Sequence, residues 1–251
     1  MAFAAAAAFA CGGDGPGSTG ANATPTDGAQ LTPAPSRLVV AVVDFSGSQT
    51  THAVRDARAY LDKVVDGLGY GDRFVLLEMY RTGSRDSVGK FVQDMPRTRV
   101  AGRETSYDRR ELDAAKTGVK NALPIFFDPR FVGSIATTDV LTTLHIASEY
   151  LRDAGQRDKQ LVLLTDMLQS TPQYEFEGAR RMPGEGWASA QAQQGLLPEL
   201  GGACVVVIGA DPTTPSGQRV RAFWQDYFSA AGATFDPANY RVRAPVDVVG
   251  C

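Results

Sequence analysis

The stretch Leu38-Val39-Val40-Ala41-Val42-Val43-Asp44-Phe45-Ser46-Gly47-Ser48 decides how the rest of the chain is read. Its six leading residues are apolar and mostly β-branched, as expected of a strand buried on both faces of a sheet. A carboxylate and two hydroxyls follow at alternate positions, with a glycine between the hydroxyls. Oxygen ligands on a short loop suit a hard cation such as Mg²⁺. The carboxyl end of a buried strand is also where open α/β sheets bind their ligands. The same residues fit an ordinary strand-to-helix turn with Ser48 as the helix cap. Asp-x-Ser-x-Ser by itself leaves both readings standing.

From Arg37 onward, strand-type and helix-type periods alternate. Val54, Ala57, Leu61, Val64 and Leu68 form one stripe at three- and four-residue spacing, which predicts a helix over about 50–68, closed by Gly69 and Gly71. Arg73–Tyr80 and Ser87–Gln93, separated by the Gly-containing loop 81–85, predict an antiparallel hairpin. Thr105 and Asp108 have capping-box spacing for a helix that turns Leu112, Ala115, Val119 and Leu123 inward. Further helices are predicted over about 139–153, 187–197 and 216–231. The last of these buries Val220, Phe223, Trp224, Tyr227 and Phe228. Leu161–Thr165 and Ala203–Ile208 read as strands, and Tyr240–Arg243 as a final edge strand. The class is therefore α/β: a doubly wound, mostly parallel sheet with helices on both faces and one antiparallel edge hairpin. Residues 37–251 fit a single domain of this kind.

Two further segments bear on the opening stretch. Asp166 ends the Leu161–Thr165 strand much as Asp44 ends the first, so a parallel sheet carries both to one edge. Ala136-Thr137-Thr138-Asp139 precedes a helix whose N-terminus can approach that edge. Taken alone, Thr138 is also a good helix cap, and Asp166 a good turn residue. Together, the three segments resemble the metal-ion-dependent adhesion site of von Willebrand factor A-type domains, and the resemblance covers nearly all of residues 37–247. It implies that Asp44, Ser46 and Ser48 form the first metal loop, that Thr138 supplies the second and that Asp166 supplies the third. It further implies a Rossmann-like fold and no catalytic residues. An acidic side chain of a protein partner would complete the octahedron around Mg²⁺, with Mn²⁺ or Ca²⁺ as substitutes. The second loop lacks the usual glycine before its threonine, so Thr137 competes with Thr138. The third reads Thr165-Asp166-Met167 in place of the commoner Thr-Asp-Gly, a change that bears on access to the ion.

Met1–Ala10 is nearly all Ala and Phe and ends at Cys11, which resembles the end of a bacterial lipoprotein signal. No Lys or Arg precedes the apolar run, and Ala8-Phe9 replaces the usual Leu-small pair. Residues 1–11 are expected to be an export signal with Cys11 lipidated. Residues 12–36, rich in Gly, Pro, Ser and Thr, are expected to form a disordered tether. The expected location is the cell envelope, with the membrane touched only through the lipid anchor. Net charge is −3, with no basic run, so nucleic-acid binding is not expected. Cys204 reads either as a small buried hydrophobe or as a partner for Cys251 in an oxidising compartment.

Enzymatic readings fit less well. Neither Ser46 nor Ser48 has the Gly-x-Ser-x-Gly frame of a nucleophile elbow. Ser46 stands where a strand-end aspartyl phosphatase needs its second Asp. Gly83–Lys90 is one residue too long for a phosphate-binding loop and is followed by Phe91. Metal-dependent hydrolysis at the same cation remains the alternative, with a structural domain carrying a vestigial site as a third reading.

Overall fold

A computed structural model describes residues 36–44, 51–79, 88–100, 103–128, 137–152, 154, 157–248 and 250–251. All belong to one compact unit, Pro33–Cys251. Cys11 with segments 1–11 and 12–35, Ser46 and Ser48, and the 81–85 loop lie outside the described residues.

The chain order is β1 (Arg37–Val43), α1 (Thr51–Asp66), β2 (Arg73–Glu78), β3 (Lys90–Asp94), α2 (Ser106–Phe126), α3 (Val140–Arg152), β4 (Asp158–Leu164), α4 (Trp187–Gln193), β5 (Cys204–Ile208), α5 (Pro215–Ala230) and β6 (Thr234–Arg241). The sheet runs β3-β2-β1-β4-β5-β6. Only the β2/β3 pair is antiparallel. That is the doubly wound sheet with one antiparallel edge hairpin expected from the sequence. Lys90 opens strand β3 and no helix, which removes the phosphate-loop reading.

Side-chain alternation sorts the strands between two cores. Leu38, Val40, Val42, Leu161, Leu163, Val205 and Val207 pack with α3, α4 and α5. Val39, Ala41, Val43, Val162, Leu164, Val206 and Ile208 pack with α1 and α2. The continuous apolar runs of the sequence are explained by this two-sided burial. Val220, Phe223, Trp224, Tyr227 and Phe228 of α5 are buried as predicted.

Three strands differ from the sequence reading by three residues or more, and the first of them, β3, runs Lys90–Asp94 and not 87–93. β4 starts at Asp158, because its polar first residues still pair with Arg37, Leu38 and Val39 at the solvent end of the sheet. The last strand occupies Thr234–Arg241 and not 240–243. Asp236 and Pro237 obscure its pattern, yet an edge strand tolerates proline on its unpaired side, and its pairing slips register between Val205 and Val207. Cys204 and Cys251 form a disulfide. Ala244 and Val248, on the segment after β6, pack against the α1/α2 core. Among the described residues, no helix is long and apolar enough to cross a membrane.

The predicted capping box opens α2. The Thr105 hydroxyl accepts the Asp108 N–H, and the Asp108 carboxylate accepts the Thr105 N–H and hydroxyl. These bonds, with the Arg99 N–H, hold the Asp108 carboxyl below the usual carboxylate range. A depressed value stabilises the fold above the unfolded carboxyl's titration, near about pH 4. That contribution is lost as pH falls through the lower folded value. Denaturant melts of Asp108→Asn against wild type should show a stability gap at neutral pH that narrows on acidification below about pH 4.

Candidate metal centre

The β1/β4 register ends with Val43 opposite Leu164. The Asp44 N–H then donates to the Leu164 carbonyl at 3.0 Å, carrying the ladder one bond beyond the strands. Asp44 is thereby set beside Thr165. The Thr165 hydroxyl donates to Asp44 Oδ2 at 2.8 Å and accepts the Met167 N–H at 3.0 Å. Asp44 is only 3% exposed. A carboxylate so enclosed needs hydrogen bonds or opposite charge, and Thr165 supplies one such bond. Asp166, half-buried, follows at once and closes a local turn, its Oδ1 accepting the Leu168 N–H at 3.0 Å.

Met167 has a left-handed backbone, φ +62°. Glycine adopts that conformation without a Cβ penalty, and Met167 does not. The Met167 side chain is fully buried in the α3/α5 core, and its carbonyl accepts the Trp224 indole N–H at 2.9 Å. Gly209, at φ +112°, passes so close behind this loop that a Cβ would lie 2.9 Å from the Thr165 carbonyl oxygen. The loop bearing Asp166 is thus held from α5 on one side and from the end of β5 on the other.

The second candidate loop is tied to the third. Thr138 and Ser170 exchange both backbone hydrogen bonds, at 3.2 and 2.8 Å. Buried Gln169 donates to Asp139 Oδ1 at 2.9 Å and accepts the Leu141 N–H at 3.2 Å. Asp139 caps α3, its Oδ1 accepting the Thr142 N–H at 3.0 Å. The capping role that competed for Thr138 therefore falls to its neighbour. Of the two threonines, Thr138 is buried and Thr137 only half-buried.

Among the described residues, no group of three or more His, Cys, Asp or Glu stands together to hold a metal. The residue types expected at this edge, hydroxyls beside two carboxylates, suit hard, oxygen-seeking cations. His52 pairs with Asp56 on α1 at 3.1 Å, and His145 lies within α3. Asp211 serves its own turn, accepting from the Thr213 N–H and hydroxyl, which hold its carboxyl below the usual range. The Tyr240 phenol is pushed well above its ordinary value, chiefly by burial and next by the Asp166 charge.

No family model matches the sequence, and no curated protein does. Solved structures similar to it include an aerotolerance-related membrane protein from Bacteroides fragilis, with a TM-score of 0.43 and 14% identity, over 81% of this chain and 93% of that one. A von Willebrand factor type A protein from Catenulispora acidiphila has a TM-score of 0.42 and 19% identity, over 81% of this chain. Proximal thread matrix protein 1 of the mussel byssus, with a zinc-occupied MIDAS motif, has a TM-score of 0.38 and 13% identity, over 79% of this chain. The chain spans 40% and 48% of those last two proteins. Its own sheet order and two-sided helix cover give the doubly wound, Rossmann-like α/β fold expected above.

Gln169 was not singled out from the sequence, Trp224 was read only as a buried residue of the last helix, and Thr165 and Met167 only as the neighbours of Asp166. The one local signal was a threonine directly before a strand-end aspartate. Gly209→Ala should cost about 1–3 kcal/mol, from backbone strain and the close carbonyl. Thr165→Val removes a buried hydrogen-bond donor and should cost a similar amount, about 1–3 kcal/mol. Urea melts of both variants measure these costs directly.

Proposed function

We propose that residues 37–251 form a von Willebrand factor A-type binding domain. In this reading it captures a protein partner through a divalent cation held by Asp44, Ser46, Ser48, Thr138 and Asp166. Mg²⁺ is the proposed ion, and Mn²⁺ or Ca²⁺ suits the same oxygen set. An acidic side chain of the partner is the last ligand. The observation that carries the reading is the β1/β4 register, which ends with Asp44 hydrogen-bonded to the residue just before Asp166. The Thr138–Ser170 bridge supports it by tying the second loop to the third. When bound, the cation supplies a Lewis-acidic position for an outside carboxylate. Few carboxylates neutralise it, so a partner's charge gains by replacing a water.

The proposal includes export and anchoring at Cys11, at the cell envelope. The Cys204–Cys251 disulfide is in keeping with an oxidising compartment. Thermal melting with and without Mg²⁺ tests the site. At a hundredfold excess over the dissociation constant, the ion should stabilise the wild type by about 2.7 kcal/mol. Asp44→Ala should lose that gain. Partner capture that survives a chelator, or a melting curve indifferent to Mg²⁺ in the wild type, would reject the reading. Ester or phosphate turnover abolished in Asp44→Ala would favour hydrolysis instead.

A further inference from the structure

The segment after β6 runs the length of one sheet face. Val242 lines a small cavity that also has Asp44 in its wall, at the edge bearing the candidate site. Cys251 lines an open groove of about 610 Å³ that also has Arg37, Lys159 and Cys204 in its wall, at the opposite edge. Between these points, Ala244 and Val248 pack on the core that contains Val206 and Ile208. On this face the strap, residues 242–248 with Gly250 and Cys251, covers apolar surface beside α1 and α2 through Ala244 and Val248. Among the described residues, Lys63 Nζ donates to the Val246 carbonyl at 2.7 Å in an exposed position, and the buried Asn239 donates from Nδ2 to the Gly250 carbonyl at 3.4 Å. Val242 and Val246 are themselves 49% and 81% exposed. The bond from Cys251 to Cys204 adds a covalent hold to this packing and these hydrogen bonds.

That bond is also open to attack. Cys251 is exposed and Cys204 half-buried, both in the groove wall. Arg37, Asp158 and Lys159 line the same groove, so a polar, open wall surrounds the bridge. We propose that the Cys204–Cys251 bridge is a reducible clasp: exchange with a dithiol at the groove frees the strap and uncovers the apolar sheet face beneath it. A thiolate of the dithiol attacks the Cys251 sulfur, the S–S bond breaks and Cys204 leaves as thiolate, taking a proton from water. The second thiol of the reductant then attacks the mixed disulfide and releases Cys251. Two electrons pass to the bridge, and the reductant becomes a disulfide. This inference does not depend on a cation at the other edge.

The test uses the full chain. It is treated with dithiothreitol without denaturant, alkylated with iodoacetamide and desalted, alongside an untreated sample. Peptide mapping should find Cys204 and Cys251 both alkylated. Trypsin cleavage after Arg243 should then be about tenfold faster, because proteolysis follows the population of the opened segment. Binding of an apolar-surface dye should rise, with far-UV circular dichroism unchanged. Cys251→Ser should show the same cleavage and dye response without reductant. Three results would each overturn the proposal: cysteines that resist alkylation, an unchanged cleavage rate, or a collapse of the circular dichroism signal. The last would make the bridge a staple for the whole fold and not a clasp on one segment.

Discussion

The candidate site depends on the parallel pairing of β1 with β4 and on its extension by one hydrogen bond past the strand ends. Both strands are buried on both faces, so a slip of one residue would move each side chain into the wrong core. The register is therefore fixed by packing on two sides at once. Fixed register sets Asp44 beside Thr165, and chain continuity puts Asp166 next. Chemistry at this edge is positioned by apolar packing that has no chemistry of its own.

Polar wiring then fixes what packing leaves open. Thr165 spends its one donor on Asp44 and accepts from Met167, so it ties the first loop to the third. Gln169 ties the third loop to the start of α3, using both ends of its amide. Buried polar groups of this kind stay costly unless every partner is in place, so the arrangement tends to hold or fail as a unit. The three stretches are consequently coupled even though their residues lie far apart in sequence.

Much of this was legible beforehand where the physics is local. Runs of Val and Leu gave the central strands, three-and-four spacing gave the buried stripe of α5, and Thr105 with Asp108 gave the α2 cap. The edge strand β6 was largely hidden, because it packs on fewer neighbours and carries Asp236 and Pro237. The roles of Thr165 and Gln169 were hidden for a different reason. Their partners, Asp44 and Asp139, are distant along the chain, and a hydrogen bond across that separation leaves no periodic trace. Ser46 and Ser48 lie outside the described residues.

Met167 shows how a non-glycine residue is accommodated in a left-handed turn. The left-handed backbone costs a non-glycine residue about 1–2 kcal/mol. Burying the side chain returns a comparable amount, about 1.5–3 kcal/mol, and glycine there would lose more chain entropy on folding. The balance is close to neutral, and its consequence is order. A buried methionine whose carbonyl is held by Trp224 leaves the loop little freedom to change shape. Because the side chain turns into the core, its bulk does not stand over the sheet edge, and access beside Asp166 is governed by other residues. A loop already ordered around Asp166 has little entropy left to lose, so Met167 favours a pre-set carboxylate over an adaptable one.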